Sequence, residues 1–146
     1  MNKNIINTLI LLLAGFTGSL YANEANISVD DAWIAEAPPV SKVMVAYLTI
    51  NNNADESVTI VKAESDVYSS IEFHETVHEN GMAHMVSYET LIIPAHGRMR
   101  LERGGAHFML FNPKRALKAG DTVNITLHTK NNSSKTFAIP VKKATH

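Results

Sequence analysis

Residues 106–111, with the sequence AHFMLF, decide the fold because their side chains alternate in chemistry. Successive side chains of a β-strand point to opposite faces of the sheet, so such alternation is typical of a strand. Here His107, Met109 and Phe111 share one face, whereas Ala106, Phe108 and Leu110 share the other. The sequence therefore predicts a strand with an apolar face toward a core and, on the other face, an imidazole and a thioether that are candidate metal ligands.

The nearest predicted element upstream is a β-hairpin that carries one further histidine and one further methionine. Residues 70–76 and 82–88 are predicted as strands, and the Asn80-Gly81 pair between them favours a tight type I′ turn. His74 lies on the first of these strands and Met85 on the second. The hairpin is therefore expected to bring His74 and Met85 toward each other.

The remainder of the chain also has the pattern of short strands separated by Gly, Pro and Asn turns. The further predicted strands are residues 27–33, 44–50, 58–63, 91–93, 98–101, 122–128 and 135–141. No stretch after the N-terminal segment has an apolar helix period. Roughly nine or ten short strands indicate a single all-β domain, a β-sandwich or barrel with Greek-key connections.

Composition excludes several classes of function. The chain has 146 residues, a formal net charge of -1 and no cysteine. The charge gives no basic surface for nucleic acid. The lack of cysteine excludes disulfides, zinc–thiolate sites, iron–sulfur clusters and the thiolate of a blue-copper electron-transfer centre.

Residues 1–22 are predicted to be a signal peptide. Lys3 supplies positive charge, an apolar run follows, and Ala22 is a small residue at the end of an acceptable cleavage site. The run is short for a membrane span, although an uncleaved anchor is the alternative. We expect residues 23–146 to be exported, in a bacterium to the periplasm, as a monomer without stable membrane insertion.

Four residues, His74, Met85, His107 and Met109, form a candidate metal site. Thioethers are soft and neutral ligands and imidazoles are intermediate, so two of each suit Cu(I) better than Zn(II), Mg(II) or Ca(II). On spacing alone the alternative stays open, because single methionines in strands usually fill the core. Met109 is the member most easily explained in that way.

The four residues also resemble a known family. His74, Met85, His107 and Met109 match the His-x10-Met-x21-His-x-Met motif of the periplasmic copper chaperones called PCu(A)C, and the flanks from residues 104–110 and 117–123 are similar to family blocks. The resemblance implies a cupredoxin-like fold that binds one Cu(I) through two His and two Met. It further implies copper delivery to periplasmic proteins, notably subunit II of cytochrome c oxidase, often beside a thiol-bearing copper chaperone.

Other functions and ligands are alternatives. A copper enzyme is disfavoured because a mature chain starting at Asn23 lacks an N-terminal histidine, and we expect no enzymatic activity. A copper buffer for tolerance and a metal-free envelope binding module stay open. His78, Met82 and His84 in the hairpin, and His146 at the C-terminus, are possible accessory ligands, and Trp33 is expected to pack inside the sandwich.

Overall fold

The structure, a computed structural model, describes residues 23–144. The predicted signal peptide and His146 lie outside the described residues. Ten strands follow one another along the chain: β1 (Ile27–Ala35), β2 (Val43–Asn52), β3 (Val58–Glu64), β4 (Tyr68–Glu79), β5 (Met82–Tyr88), β6 (Leu91–Ile93), β7 (Arg98–Leu101), β8 (Ala106–Pro113), β9 (Thr122–Thr129) and β10 (Ser134–Lys142).

The described residues contain strands and turns but no helix, which confirms the all-β prediction. None of them forms a helix long and apolar enough to cross a membrane. The predicted strands coincide with the observed ones to within a few residues at each end. The largest difference is in β4, which runs three residues beyond the prediction, to Glu79.

Seven of the strands close into a barrel. Their order around it is β4-β8-β2-β1-β10-β9-β3, and the pairing of Ala63 on β3 with Ile71 on β4 completes the circle. Neighbours are antiparallel except for β1 and β10, which run parallel. Closure removes free strand edges, and the remaining strands β5, β6 and β7 attach to β4, β3 and β2.

The core fills the barrel with one face of each strand. Phe108 and Leu110 on β8 are completely buried, and Phe108 packs against Phe73 of β4 at 5.3 Å between ring centroids. Because β8 alternates strictly, the burial of Phe108 and Leu110 turns His107 and Met109 to the outer face. The barrel therefore fixes the face on which the candidate ligands lie.

A bulge in β1 overturns the prediction for Trp33. The pairing of β1 with β2 shifts between Asp30 and Trp33, and Asp31 there has a φ of 52°. The extra residue moves the alternation by one, so that Ile34 is completely buried instead of Trp33. Trp33 lies on the outer face against Tyr47, with 5.2 Å between ring centroids.

Candidate metal centre

The predicted ligands His74 and His107 lie directly opposite each other on neighbouring strands. They are register partners on β4 and β8, and their ring centroids are 6.1 Å apart. Opposite residues of an antiparallel pair project to the same face. The structure therefore brings the two imidazoles together on the outer face of the barrel.

The two methionines lie on the same face. Met109 is opposite Glu72 and Met85 is opposite Thr76, and both Glu72 and Thr76 are two residues from His74 along β4. Side chains two residues apart on a strand share a face. His74 is thus the central residue, with one methionine diagonal to it on each side.

The His74 ring has one nitrogen fixed by a hydrogen bond and one left without a partner. Its Nε2 lies 2.9 Å from a carboxylate oxygen, Oε2 of Glu72. A carboxylate accepts, so Nε2 carries the hydrogen and Nδ1 keeps its lone pair. Nδ1 is buried and has no hydrogen-bond partner. A buried unpaired nitrogen is costly, and a bound metal ion would satisfy it.

His107 repeats this arrangement with the nitrogens exchanged. Its Nδ1 donates to the carbonyl oxygen of Gly105 at 3.0 Å, which leaves the lone pair of Nε2 available to a metal. A carbonyl or carboxylate on the far nitrogen of a metal-binding histidine fixes the ring orientation and raises its basicity. Both rings therefore have the hydrogen bonding expected of metal ligands.

The turn before β8 places that carbonyl. Gly104 has a φ of 78°, in the left-handed region, which closes the turn so that the amide of Glu102 donates to Ala106 O at 2.8 Å. The Gly105 carbonyl also accepts the amide hydrogen of Thr76 at 3.1 Å. One carbonyl thus links β4 to the His107 ring, and the positive φ of Gly104 favours glycine at that position of the turn.

The exposed fraction of the ligands increases from the barrel outward. His107 is 5% exposed, the His74 side chain 15%, and Met85 57%. Met85 lies on an arm, formed by residues 76–85, in which β4 and β5 pair only with each other beyond the barrel. The predicted turn of this arm is confirmed, since Asn80 and Gly81 have φ values of 52° and 75°.

Met85 and Met109 do not lie side by side. Their partners on β4 are four residues apart, which is about 13 Å along the strand, and two strand spacings add about 10 Å across the sheet. Two methionine side chains do not span that distance on a flat sheet. Joint ligation therefore requires the two-stranded arm to curl toward β8.

The accessory residues separate onto two faces of the arm. His78 follows Thr76 by two residues and lies on the face of His74 and Met85. His84 and Met82 are opposite Val77 and Glu79, on the other face. On that other face the Tyr88 hydroxyl donates to Glu75 at 2.6 Å, and this bond raises the pKa of Tyr88.

Other metal chemistry is not offered by the part of the chain that the structure describes. Within residues 23–144, no group of three or more His, Cys, Asp or Glu side chains is placed to hold a metal ion. On the face that carries His74 and His107, Met85 and Met109 provide neighbouring thioether sulfurs. Neither Glu72 nor the Gly105 carbonyl was predicted from the sequence. Glu72 lies two residues before His74 on β4, and Gly105 lies two residues before His107 in the turn that precedes β8.

A cationic aromatic surface adjoins the site. The guanidinium of Arg103 lies 5.4 Å from the centre of the Trp33 ring, and Arg103 begins the turn that leads through Gly104 to His107. A cavity of about 400 Å³ lies beside them and is also lined by Tyr47. The contact joins β1 to the turn that orients His107.

Residues 27–141 match the family described as putative lipoprotein LpqE-like. This chain belongs to the LpqE-like family. A putative lipoprotein, Lxx21020 of Leifsonia xyli subsp. xyli, is 33% identical over 117 residues, which are 80% of this chain and 69% of that protein. The uncharacterized protein RP573 of Rickettsia prowazekii is 31% identical over 96 residues, and the match spans 53% of its length.

Solved structures confirm the resemblance to PCu(A)C domains and the cupredoxin-like fold. The solution structure of Cu(I)-bound DR1885 from Deinococcus radiodurans is 35% identical, with a TM-score of 0.63 over 89% of this chain and 85% of that one. The apo form of DR1885 is 33% identical, with a TM-score of 0.62 over 99% and 95%. The copper-bound PCuAC domain of PmoF2 has a TM-score of 0.68 over 83% and 96%, and at 17% identity it supports the fold alone.

Proposed function

We propose that this LpqE-like protein is a copper chaperone that binds one Cu(I) through His74, Met85, His107 and Met109. The observation that carries the proposal is the pair of opposed imidazoles, each with one nitrogen held by an acceptor and the other free for a metal. Met109 and Met85 lie on the same face and add the soft ligands. The 35% identical DR1885 has been solved in a Cu(I) form.

The ligand chemistry selects the ion. Two imidazoles and two thioethers are all neutral, so the ligands themselves carry no charge to offset a divalent cation and suit a soft monovalent one. Thioethers also persist as ligands in an oxidising compartment, where free thiols are lost to disulfides. These properties support Cu(I) over Cu(II) and Zn(II).

Delivery is the second part of the proposal. The recipient would be a copper-accepting periplasmic protein, with subunit II of cytochrome c oxidase the first candidate and a thiol-bearing chaperone a possible companion. The predicted signal peptide supports a periplasmic location. We further propose that the protein is monomeric and not an enzyme. The exposure of Met85 supports transfer by ligand exchange, because an incoming thiolate or imidazole reaches this ligand first.

A Cu(I) competition titration of residues 23–146 tests the binding. The unaltered chain is expected to take one Cu(I) from a colorimetric chelator. The double variant His107→Ala/Met109→Ala should lose that binding and keep the fold, since both residues lie outside the core cluster. The matched control is Met82→Ala/His84→Ala, which removes the same residue types from the other face of the arm.

Two outcomes contradict the proposal at different levels. Equal Cu(I) affinity of the His107→Ala/Met109→Ala variant and the control would remove the assigned site. Tight binding by the unaltered chain without transfer to the apo copper domain of oxidase subunit II would leave a copper buffer in place of a delivery protein for that recipient.

A further inference from the structure

On the face that carries the four proposed ligands, the arm has one further side chain that can bind copper, the imidazole of His78. His78 follows His74 by four residues on β4, and the intervening residue on this face, Thr76, is opposite Met85. Met85 is therefore diagonal to both histidines, and diagonal neighbours on a sheet face are about 7–8 Å apart, within reach of long side chains. The face presents an outward series of His74, Met85 and His78.

The outer side chains of this series are more exposed than the inner ones. His107 is 5% exposed and the His74 side chain 15%, so a bulky partner ligand has little access to the inner imidazoles. Met85 is 57% exposed and His78 is exposed as well. Ala83, the residue opposite His78, has no side-chain atom that can bind a metal ion. Copper that leaves the inner site outward along this face thus meets Met85 and then His78.

We propose that His78 and Met85 form a transit site through which Cu(I) enters and leaves the inner site, an inference that rests on the proposed function. In the outward step a Cu–N bond to His78 forms while the bonds to His74, His107 and Met109 break, and Met85 stays bound throughout. All ligands are neutral and copper remains Cu(I), so no electron or proton moves. Cu(I) accepts two or three ligands, which makes the His78–Met85 pair sufficient for a transient stop.

The curl required of the arm fits this exchange. Met85 and Met109 reach one ion together only when the arm bends toward β8, and His78 lies on the same two-stranded arm. With the arm bent, Met85 serves as the fourth inner ligand. With the arm extended, Met85 and His78 face solvent together. A single movement therefore transfers Met85, and the ion with it, between the inner histidines and His78.

Stopped-flow removal of Cu(I) by an excess of bathocuproine disulfonate tests the transit site. His78→Ala is expected to slow copper loss roughly tenfold, a rate ratio that corresponds to about 1.4 kcal/mol in the barrier. Its equilibrium affinity for Cu(I) should stay that of the unaltered chain, because the four inner ligands are intact. The matched control is His84→Ala, which removes an exposed histidine from the other face of the same arm.

Each kinetic outcome either supports the transit site or overturns it. Slower loss in His78→Ala alone, at equal affinity, supports the transit site. Equal rates in His78→Ala and the unaltered chain, or equal slowing in His84→Ala, would overturn it. A fall in equilibrium affinity as large as that of His107→Ala would also overturn it, since His78 would then be a resident ligand. Failure of the unaltered chain to bind Cu(I) is a separate result, which refutes the proposed function itself.

Discussion

Removing the Glu72 carboxylate is expected to weaken Cu(I) binding without opening the site. Glu72 Oε2 lies 2.9 Å from Nε2 of His74, and the copper would sit on the opposite ring nitrogen. The ring adds about 2 Å and a metal–nitrogen bond about 2 Å more, so the carboxylate and the ion are about 7 Å apart. A negative charge at that distance stabilises the bound cation through the ring.

The magnitude follows from Coulomb's law. At about 7 Å two unit charges interact by about 2.4 kcal/mol at an effective dielectric constant of about 20, and by about 0.6 kcal/mol in bulk water. The Glu72 side chain is 51% exposed, which favours the lower part of that range. A loss of about 1 kcal/mol corresponds to an affinity about fivefold weaker.

Two substitutions separate charge from orientation. Glu72→Gln removes the charge and keeps an oxygen that accepts from Nε2, so it should show about the fivefold loss. Glu72→Ala also frees the His74 ring, and loss of such an orienting partner typically costs about 10–100-fold in metal affinity. The assay is Cu(I) competition titration at fixed ionic strength.

The control for Glu72 is Glu79, an exposed carboxylate on the other face of the arm. Glu79 is opposite Met82 and seven residues from Glu72 along β4, about 23 Å away, where salt screens its charge. Glu79→Gln and Glu79→Ala are expected to leave the affinity unchanged. Affinity losses at Glu72 no larger than those at Glu79 would refute the assigned ring orientation of His74.

Three further predictions concern the scaffold. Phe108→Ala should cost about 3–5 kcal/mol in the free energy of unfolding, measured with urea, because the ring is completely buried against Phe73. Gly81→Ala should cost about 1–2 kcal/mol of arm stability, seen as faster amide exchange between β4 and β5, since Gly81 has a φ of 75°. Burial raises the pKa of Tyr68 from 10 to about 12. The stability that neutral Tyr68 provides is full below pH 10 and is lost as pH rises through about 12, and Tyr68→Phe should remove that loss in alkaline unfolding curves.

Local patterns were sufficient to predict the elements that position the ligands. Phe108 and Leu110 are apolar enough to require burial, and a strand that buries them has to turn His107 and Met109 outward. Asn80-Gly81 tolerates two positive φ values, which selects a two-residue turn and fixes the pairing of β4 with β5. These inferences depend only on residues that are a few positions apart, so they can be made from the sequence alone.

The errors and omissions depend on features that single-strand patterns do not contain. Trp33 is in phase with the buried Ile27 and the partly buried Val29, and only the bulge at Asp31 reverses its face. The offset between Met85 and Met109 arises because β4 pairs with β5 and β8 in two independent registers. Neither register is visible until both partner strands are placed, so the need for the arm to curl could not be predicted.

The strands that carry the proposed ligands differ in how firmly the fold holds them, and this difference suggests how one site could both hold and release copper. His74 and His107 lie on strands of a closed barrel, where rearranging either would disturb buried neighbours such as Phe108. Met85 lies on β5, whose only strand partner among the described residues is β4, and an isolated two-stranded ribbon has little stability of its own. In the proposed site the barrel would stay folded while the arm moves, so that the affinity for Cu(I) would depend mainly on the imidazoles of His74 and His107 and the release rate on the thioether of Met85.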